Sequence, residues 1–303
     1  MKSTLTGVVK RIEIKPNKTE GIDNFDVDNS YPQRVTDIIN SSGTGTLCTD
    51  MMGKFIYGVG FNDKEFGKLV VNNEGLTANQ LLRMVSRSMS YFNGFTLHIN
   101  FTMDKISEVN FQPFEHVRKT NKENKDHLNQ LAIYNDWQKI NGRIDPKKID
   151  YINYFNPAKV LEQVELAGGW ESFKGQIYYW SISNGSYPLA PSDAVLEDIQ
   201  TDSKSKNFKY RNITTNFMAS HIMEVDAFEG DIERQEFIDN LTKFQGDDEA
   251  LQIFLLERVV GQTEPSVNLK KVEIQDVDKL YQYTEESVQK NIIRNYLIPL
   301  LSI

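Results

Sequence analysis

The sequence has very little cysteine and no long apolar run, and each absence excludes a class of protein. Its 303 residues include one cysteine, Cys48, so it can form neither an internal disulfide nor a multi-cysteine zinc site. We expect Cys48 to be a small buried apolar residue. No apolar run is long enough to span a membrane, and residues 1–18 lack the apolar core of a signal peptide. We therefore expect a protein that is made and used inside a cell.

Catalytic and ligand-binding motifs are also lacking. The sequence has no Gly-x-Ser-x-Gly elbow, and no HxH or HExxH pattern occurs among its four histidines, His98, His116, His127 and His221. The Ser/Gly/Thr run at 41–46 lacks the Gly-Lys-Ser/Thr ending of a phosphate loop, so we expect a turn there. Asp247, Asp248 and Glu249 could bind a cation, but adjacent acidic residues in a loop more often carry solvated charge. We therefore expect no cofactor, no metal site and no enzymatic activity.

The composition is that of a folded protein with an uneven charge distribution. Hydrophobic residues make up 39% and charged residues 25%, and the length allows one large domain or two to three small ones. The net charge is −8, and the segment 224–264, with 12 acidic and 3 basic residues, accounts for −9 of it. This balance argues against tight, sequence-independent binding of DNA through its phosphates. The acidic segment is either a solvated surface or an attractant for a basic partner.

The central stretch, residues 185–225, contains a long helix of unusual polarity. Pro188 and Pro191 end the preceding strand, and Ser192 can cap a helix that runs to residue 217. Its apolar positions form a one-sided stripe: Val195, Ile199, Tyr210, Ile213 and Phe217. The polar run 201–206 lies between them, which suits a helix that packs against copies of itself or faces a water-filled space. A short strand is predicted at 218–225.

The remaining patterns predict an α+β fold. Helices are predicted at 31–40, 77–90, 232–244 and 276–297, the last with an apolar stripe of Val277, Leu280, Tyr281, Val288, Ile292 and Tyr296. Strands are predicted at 96–103, 108–112, 174–181 and 267–274. Two segments stay open between helix and strand, 47–57 and 250–260. We expect 119–148 to be a hydrated excursion or a long hairpin.

The order of several short motifs carries a family resemblance. Gly185-Ser186-Tyr187-Pro188-Leu189 precedes the central helix, and Asn216-Phe217 follows it. The turn at 91–95 leads into strands that end at Pro113, and a late helix runs into 297–301. This order resembles the portal proteins, or head-to-tail connectors, of tailed bacteriophages. The sequence departs from their pattern where Tyr187 separates Ser from Pro, and where the turn reads Asn-Gly instead of Gly-Asn.

The resemblance implies a domain plan. In the family, two long helices form a stem, the module between them forms a clip, and the preceding α/β part forms a wing. The plan here is an N-terminal arm at 1–30, a wing-like α+β domain at 31–185, a first stem helix at 186–217, an acidic strand-helix-strand clip at 218–274, and a second stem helix with the C-terminal end at 275–303. Because the chain ends soon after Pro299, we expect the crown of many portals to be short or missing.

The resemblance also nominates residues. The stem and channel candidates are Val195, Ile199, Lys204, Lys206, Tyr210, Ile213, Phe217, Leu280, Val288 and Ile292. The clip candidates are Glu224, Asp226, Glu229, Asp247, Asp248 and Glu249. An acidic lining would repel phosphates and let DNA slide, whereas an acidic module that faces outward would never meet DNA.

The implied function is a structural subunit of a portal ring. About twelve copies would surround a channel at one capsid vertex, through which double-stranded DNA passes non-specifically. The implied partners are the large terminase subunit, which docks on the clip, and capsid and tail-adaptor proteins. We expect no membrane partner, and a location in the virion and, during assembly, in the host cytoplasm. Two alternatives stay open: an intracellular α+β enzyme that uses carboxylates of the acidic segment, and a binding module that attracts a basic partner, with association that slows as salt rises.

Overall fold

The computed structural model describes residues 14–103, 105–139, 144–183, 187–215, 221–226, 230–245, 253–258, 268–271 and 277–296. The chain divides into two compact units. The first comprises Met1–Gln200 with Asn291–Ile303, and the second comprises Thr201–Lys290. Helices and strands are mixed along the chain, so the predicted α+β class is confirmed.

A six-stranded sheet is the centre of the first unit. Its strands are β3 (Gly94–Thr102), β4 (Lys105–Gln112), β5 (Val117–Lys119), β6 (Gln130–Ile133), β7 (Asp150–Tyr154) and β8 (Gln176–Ser181), and a separate antiparallel pair is formed by β1 (Lys15–Asn17) and β2 (Ile22–Asn24). The sheet order is β4-β3-β8-β7-β6-β5. Only β7 and β8 pair in parallel, while the other neighbours in this sheet are antiparallel. The strands predicted at 96–103, 108–112 and 174–181 are confirmed.

Five helices belong to the first unit: α1 (Tyr31–Ser41), α2 (Gly43–Tyr57), α3 (Lys64–Lys68), α4 (Ala78–Phe92) and α5 (Val160–Ala167). The helix predicted from residue 77 begins as expected, because Thr77 and Gln80 form a capping box. Asn93 ends this helix in the left-handed conformation, with φ of 56°. The turn predicted at 91–95 is therefore confined to Asn93, and β3 follows at once.

Helices α5 and α4 cover opposite faces of the sheet. Val160 and Val164 of α5 pack with Ile99 and Phe101 of β3. Gly94, at the start of β3, faces the opposite side of the sheet, since a Cβ added there would lie 2.7 Å from the ring of Phe114. Phe114 stacks on the ring of Phe92 at the end of α4. The hydroxyl group of Ser88, in the same helix, donates a hydrogen bond to the main-chain oxygen of Gly94. Because alternate residues of a strand face opposite sides, the two helices lie on different faces.

The turn predicted at 41–46 is confirmed only at Ser42, because Ser41 ends α1 and α2 begins at Gly43. The chain breaks only at Ser42, whose Oγ accepts a hydrogen bond from the amide of Gly45 and so caps α2. Gly45 is needed for packing, because a Cβ there would lie 2.9 Å from Cγ2 of Ile199. Close packing against this side chain outweighs the poor helix propensity of glycine. The open choice at 47–57 is settled as helix.

Of the two alternatives for 119–148, the hydrated excursion is wrong for the central part, whereas the long hairpin is confirmed there, because β5 and β6 pair antiparallel across the intervening loop. This segment contains β6, whose Leu131 and Ala132 are fully buried. Trp137 is fully buried as well, and its indole N–H donates to the main-chain oxygen of His116. The many charged residues of the segment hid a short strand that is buried in the sheet. The residues that precede α1 likewise enter the core, where Ile22 packs with Ala132 and Trp137.

The second unit contains most of two long helices and a small sheet. Its elements are α6 (Leu196–Thr215), which begins in the first unit, β9 (His221–Asp226), α7 (Asp231–Gln245), β10 (Ile253–Arg258), β11 (Asn268–Lys271) and α8 (Val277–Asn295), which ends in the first unit. Strand β9 is central, parallel to β10 and antiparallel to β11. In the segment 250–260, which the sequence pattern leaves open between helix and strand, the described residues Ile253–Arg258 form a strand. Within the described residues, no helix is both long and apolar enough to cross a membrane.

Candidate functional site

The outer ends of the two long helices are fixed inside the first unit. Val195 and Ile199, at the start of α6, are buried, and Ile199 contacts α2 at Gly45. At the end of α8, Ile292 is fully buried and the hydroxyl groups of Tyr296 and Thr49 lie 2.7 Å apart. These ends of both helices therefore serve packing within the chain. Val288, one turn earlier in α8, is also buried.

The middle of α6 is polar and partly exposed, as its sequence indicated. Lys204 is exposed, and the ring of Tyr210 is 69% exposed. Lys206 pairs at 3.0 Å with Asp202, whose side chain is almost fully buried. Lys209 forms an ion pair with Glu285, which joins α6 to α8 within the second unit. Among the nominated stem residues with described side chains, Lys204, Lys206 and Tyr210 are the ones that reach solvent.

For the other candidate residues, the structure describes either the backbone alone or nothing. Ile213 belongs to α6 and Leu280 to α8, while Glu224 and Asp226 belong to β9. The side chains of these residues are not described, and the remaining candidates lie outside the described residues altogether: Phe217, Glu229, Asp247, Asp248 and Glu249. Their roles in a channel or a clip stay predictions.

A buried cation, which the sequence did not single out, organises the edge of the sheet. Arg118 is fully buried, and its guanidinium group lies over the rings of Phe25 and Trp137. It donates to main-chain oxygens of Glu115, Val117 and Asn29. Burial lowers the pKa of Arg118 to about 10, so it stays charged at neutral pH. These contacts give Arg118 a structural role, because they join β5 to the segment before α1.

The next residue forms a second buried contact. The ammonium group of Lys119 lies 4.6 Å from the ring centre of Tyr179 and 5.9 Å from that of Tyr187. The hydroxyl group of Tyr187 donates to the main-chain oxygen of Asp23 and accepts from the amide of Lys119. Burial raises the pKa of Tyr187 and lowers that of Lys119. Because the phenol is therefore neutral and already hydrogen-bonded, this cluster holds the chain together.

A cavity of about 630 Å³ lies beside α5 and β7, and several of its polar side chains are paired with one another. The ring of His127 stacks on Tyr151 with centroids 3.8 Å apart, and its Nδ1 contacts Gln130. The amide of Gln130 in turn donates to Asn153. Throughout the described part of the chain, no three His, Cys, Asp or Glu side chains are grouped as metal ligands. Cys48 is buried as predicted, and burial raises the pKa of its thiol.

Two exposed apolar surfaces are the prominent functional features of the first unit. The α2–α4 surface contains the end of α2, the segment after it and the exposed side of α4 with Arg83 and Arg87, and its exposed apolar residues are Phe55, Ile56, Val59, Phe61, Phe66, Leu69, Val70 and Met84. The α5 surface contains the outward side of α5 and the turn after it, with exposed Leu161, Leu166 and Trp170. Monomeric proteins rarely expose apolar groups this densely, so both surfaces are candidates for protein contacts.

The sequence analysis missed these surfaces because apolar residues at helical spacing resemble a core stripe. The available signal was the adjacent pair Phe55-Ile56, which widens the stripe of α2 beyond one helix face. In α5, Leu161 and Leu166 are exposed whereas Val160 and Val164 are buried, so apolar residues lie outside the buried stripe as well as in it.

No protein-family model matches the chain, and no curated protein matches its sequence. Solved structures do match. A chain of the virion of a native gene transfer agent (GTA) particle aligns with a TM-score of 0.51 and 11% identity, over 95% of this chain and 70% of that chain. A chain in the neck of an empty GTA particle, computed with C6 symmetry, aligns with a TM-score of 0.53 and 9% identity, over 97% of this chain and 73% of that chain.

The crystal structure of an HK97 family phage portal protein from Corynebacterium diphtheriae aligns less well, with a TM-score of 0.42 and 7% identity over 84% of this chain and 72% of that chain. The two GTA alignments extend over nearly the whole chain. The fold expected from the sequence resemblance is thereby supported by structures of assembled particles. The chain has the fold of a chain found in the virion and neck of gene transfer agent particles.

Proposed function

We propose that this chain is a subunit of a portal ring, which forms a channel at a capsid vertex for the packaging and ejection of DNA. The alignment with a neck chain in a particle of C6 symmetry, over 97% of this chain, carries the proposal. The order of sequence motifs supports it independently, because that order resembles phage portals. The role proposed is structural, without a catalytic step.

The long helices suit such a ring. In α6 a polar, partly exposed middle follows a first turn in which Ile199 is buried, and the Lys209–Glu285 ion pair holds α6 beside α8. A helix pair of this kind can border a water-filled channel, with Lys204 and Tyr210 as the accessible side chains. Double-stranded DNA, the large terminase subunit, and capsid and tail-adaptor proteins are the partners proposed, in the virion and, during assembly, in the host cytoplasm.

The mass of the full-length protein in solution tests the proposal. Light scattering over a range of concentrations should show a large closed assembly, and twelve copies of 34.9 kDa would give about 420 kDa. Electron microscopy of the same sample should show rings with a central opening. A protein that is monomeric or dimeric at every concentration, with no rings in the images, would contradict it.

A further inference from the structure

We propose that the α2–α4 surface of one copy binds the α5 surface of the next copy. This inference rests on the proposed ring and assigns the contact that would hold its subunits together. It commits to one occupant for both surfaces, a second copy of this chain.

Each surface has apolar groups that water would otherwise cover. On the α2–α4 surface, Phe55 is 71% exposed and Val59 is 92% exposed. On the α5 surface, Leu166 is 81% exposed, and Leu161 and Trp170 are exposed beside it. Burying such side chains is the main favourable term in association of proteins. Covering either surface with another protein surface would therefore be favourable in free energy.

The charges of the two surfaces are complementary. Helix α4 contributes the exposed Arg83 and Arg87 and contains no acidic residue. Lys54 and the acidic Asp50 line a cavity of about 420 Å³ with these arginines, against the end of α2, so three basic groups there outnumber one carboxylate. By contrast, residues 159–174 contain three exposed glutamates and two exposed lysines, and Lys174 pairs with Asp150, so the α5 surface is acidic on balance: Glu162, Glu165 and Glu171 against Lys159 and Lys174. A basic apolar surface and an acidic apolar surface on one chain attract each other between copies.

The placement of the two surfaces favours a ring. Helix α5 covers the face of the sheet to which Ile99 points, and α4 covers the face to which Gly94 points. A chain whose complementary surfaces lie on opposite faces of one sheet cannot bring them together within itself. This placement favours head-to-tail binding between copies, and a head-to-tail contact closes into a ring when the rotation between copies allows it.

A charge exchange between the surfaces tests the contact. We expect Arg83→Glu/Arg87→Glu to weaken assembly about tenfold or more, because glutamates would then face glutamates. Glu162→Lys/Glu165→Lys should weaken it similarly. Equimolar mixing of the two variants should restore the assembly, since each variant keeps one original surface and the two altered surfaces now attract each other. The readout is the concentration at half assembly, measured by light scattering.

Matched controls separate charge from folding. Lys15→Glu and Lys18→Glu change charges of the segment around β1, which contributes no residue to either surface, and should leave assembly unchanged. Tryptophan fluorescence should show that every variant is folded. A wild-type protein that forms no ring would refute the proposed function itself. A wild-type ring that tolerates either double variant, or double variants that the mixture fails to restore, would refute this contact alone and would assign the surfaces to another segment of the chain or to another protein.

Discussion

The guanidinium group of Arg118 holds Asn29 by two hydrogen bonds, from Nε to Oδ1 at 2.5 Å and from Nη2 to the main-chain oxygen at 2.8 Å. Asn29 has a left-handed backbone with φ of 59°, and its Oδ1 also accepts from the amide of Phe25. The same guanidinium group donates from Nη1 to the main-chain oxygens of Glu115 and Val117. A single buried cation therefore joins the segment before α1 to the edge strand β5.

Replacement of Arg118 should destabilise the first unit strongly. Arg118→Met would leave buried main-chain oxygens without donors, and we expect a loss of about 3 kcal/mol in the free energy of unfolding. Urea unfolding followed by tryptophan fluorescence measures it, because Trp137, Trp170 and Trp180 all belong to this unit. Lys125→Met, at an exposed position, is the control. A loss of less than about 1 kcal/mol in the free energy of unfolding would show that the buried cation contributes little to the stability of this unit.

The hydrogen bond between Thr49 and Tyr296 should contribute measurably to the attachment of α8. Tyr296→Phe removes the hydroxyl group and keeps the ring, so we expect a loss of about 1 kcal/mol in the same unfolding experiment. Tyr178→Phe, on a partly exposed ring, should change little. Equal effects from the two variants would argue against a specific anchor at Tyr296.

Gly45→Ala should destabilise the protein although it improves helix propensity. At an unhindered helix position the change would gain about 0.5–1 kcal/mol. Here the new methyl group would lie 2.9 Å from Cγ2 of Ile199, and we expect the crowding to cost about 1–3 kcal/mol. Ile199→Leu removes that branch, so the double variant should recover part of the loss in thermal unfolding. A stabilising Gly45→Ala would show that α2 and α6 can move apart at little cost.

His116 should make the first unit less stable in mild acid. Burial lowers the pKa of His116 below its usual 6.5, and the nearby Glu115 opposes this shift. The unfolded chain then binds a proton before the folded chain does, so stability falls as pH decreases from about 6.5 toward the lower folded pKa. The slope from this group is at most about 1.4 kcal/mol per pH unit.

The measurement is the free energy of unfolding of wild type and His116→Gln between about pH 7.5 and 5.5. Carboxylates also contribute to the fall, so the informative quantity is the difference between the two proteins. That difference should shrink as the pH decreases below about 6.5, because the variant lacks the histidine that the unfolded chain protonates. Parallel curves for the two proteins would exclude the histidine as a source of the pH dependence.

Local signals were sufficient for the helices α1, α4, α6, α7 and α8 and for several strands. The capping pair Thr77 and Gln80 identifies the start of α4, and the aromatic run that begins at Gln176 identifies β8. The long helices α6 and α8 are confirmed near their predicted bounds, because no proline or glycine interrupts them. Ser192 was expected to cap α6, but its side chain makes no capping hydrogen bond and a short 3₁₀ turn precedes the helix.

The features that the sequence analysis predicted wrongly or missed all depend on contacts between residues that are far apart in the chain. Gly45 is helical because it lies against Ile199, which is far away in the sequence. Strand β6 lies in a charged segment, and pairing with β5 and β7 makes it a strand. Arg118 looks like a surface charge in the sequence, yet its donors find main-chain oxygens only in the folded chain.

The sequence by itself determined many of the element types, the uneven charge and the order of motifs that resembles a portal, since these depend on neighbouring residues and on composition. The tertiary structure decided which residues are buried and which apolar groups stay exposed. It placed the arginines of α4 and the glutamates of α5 on opposite faces of one sheet, which no local pattern reveals. The physical reason is that a strand order such as β4-β3-β8-β7 brings together residues that are far apart in the chain, and burial follows from that pairing.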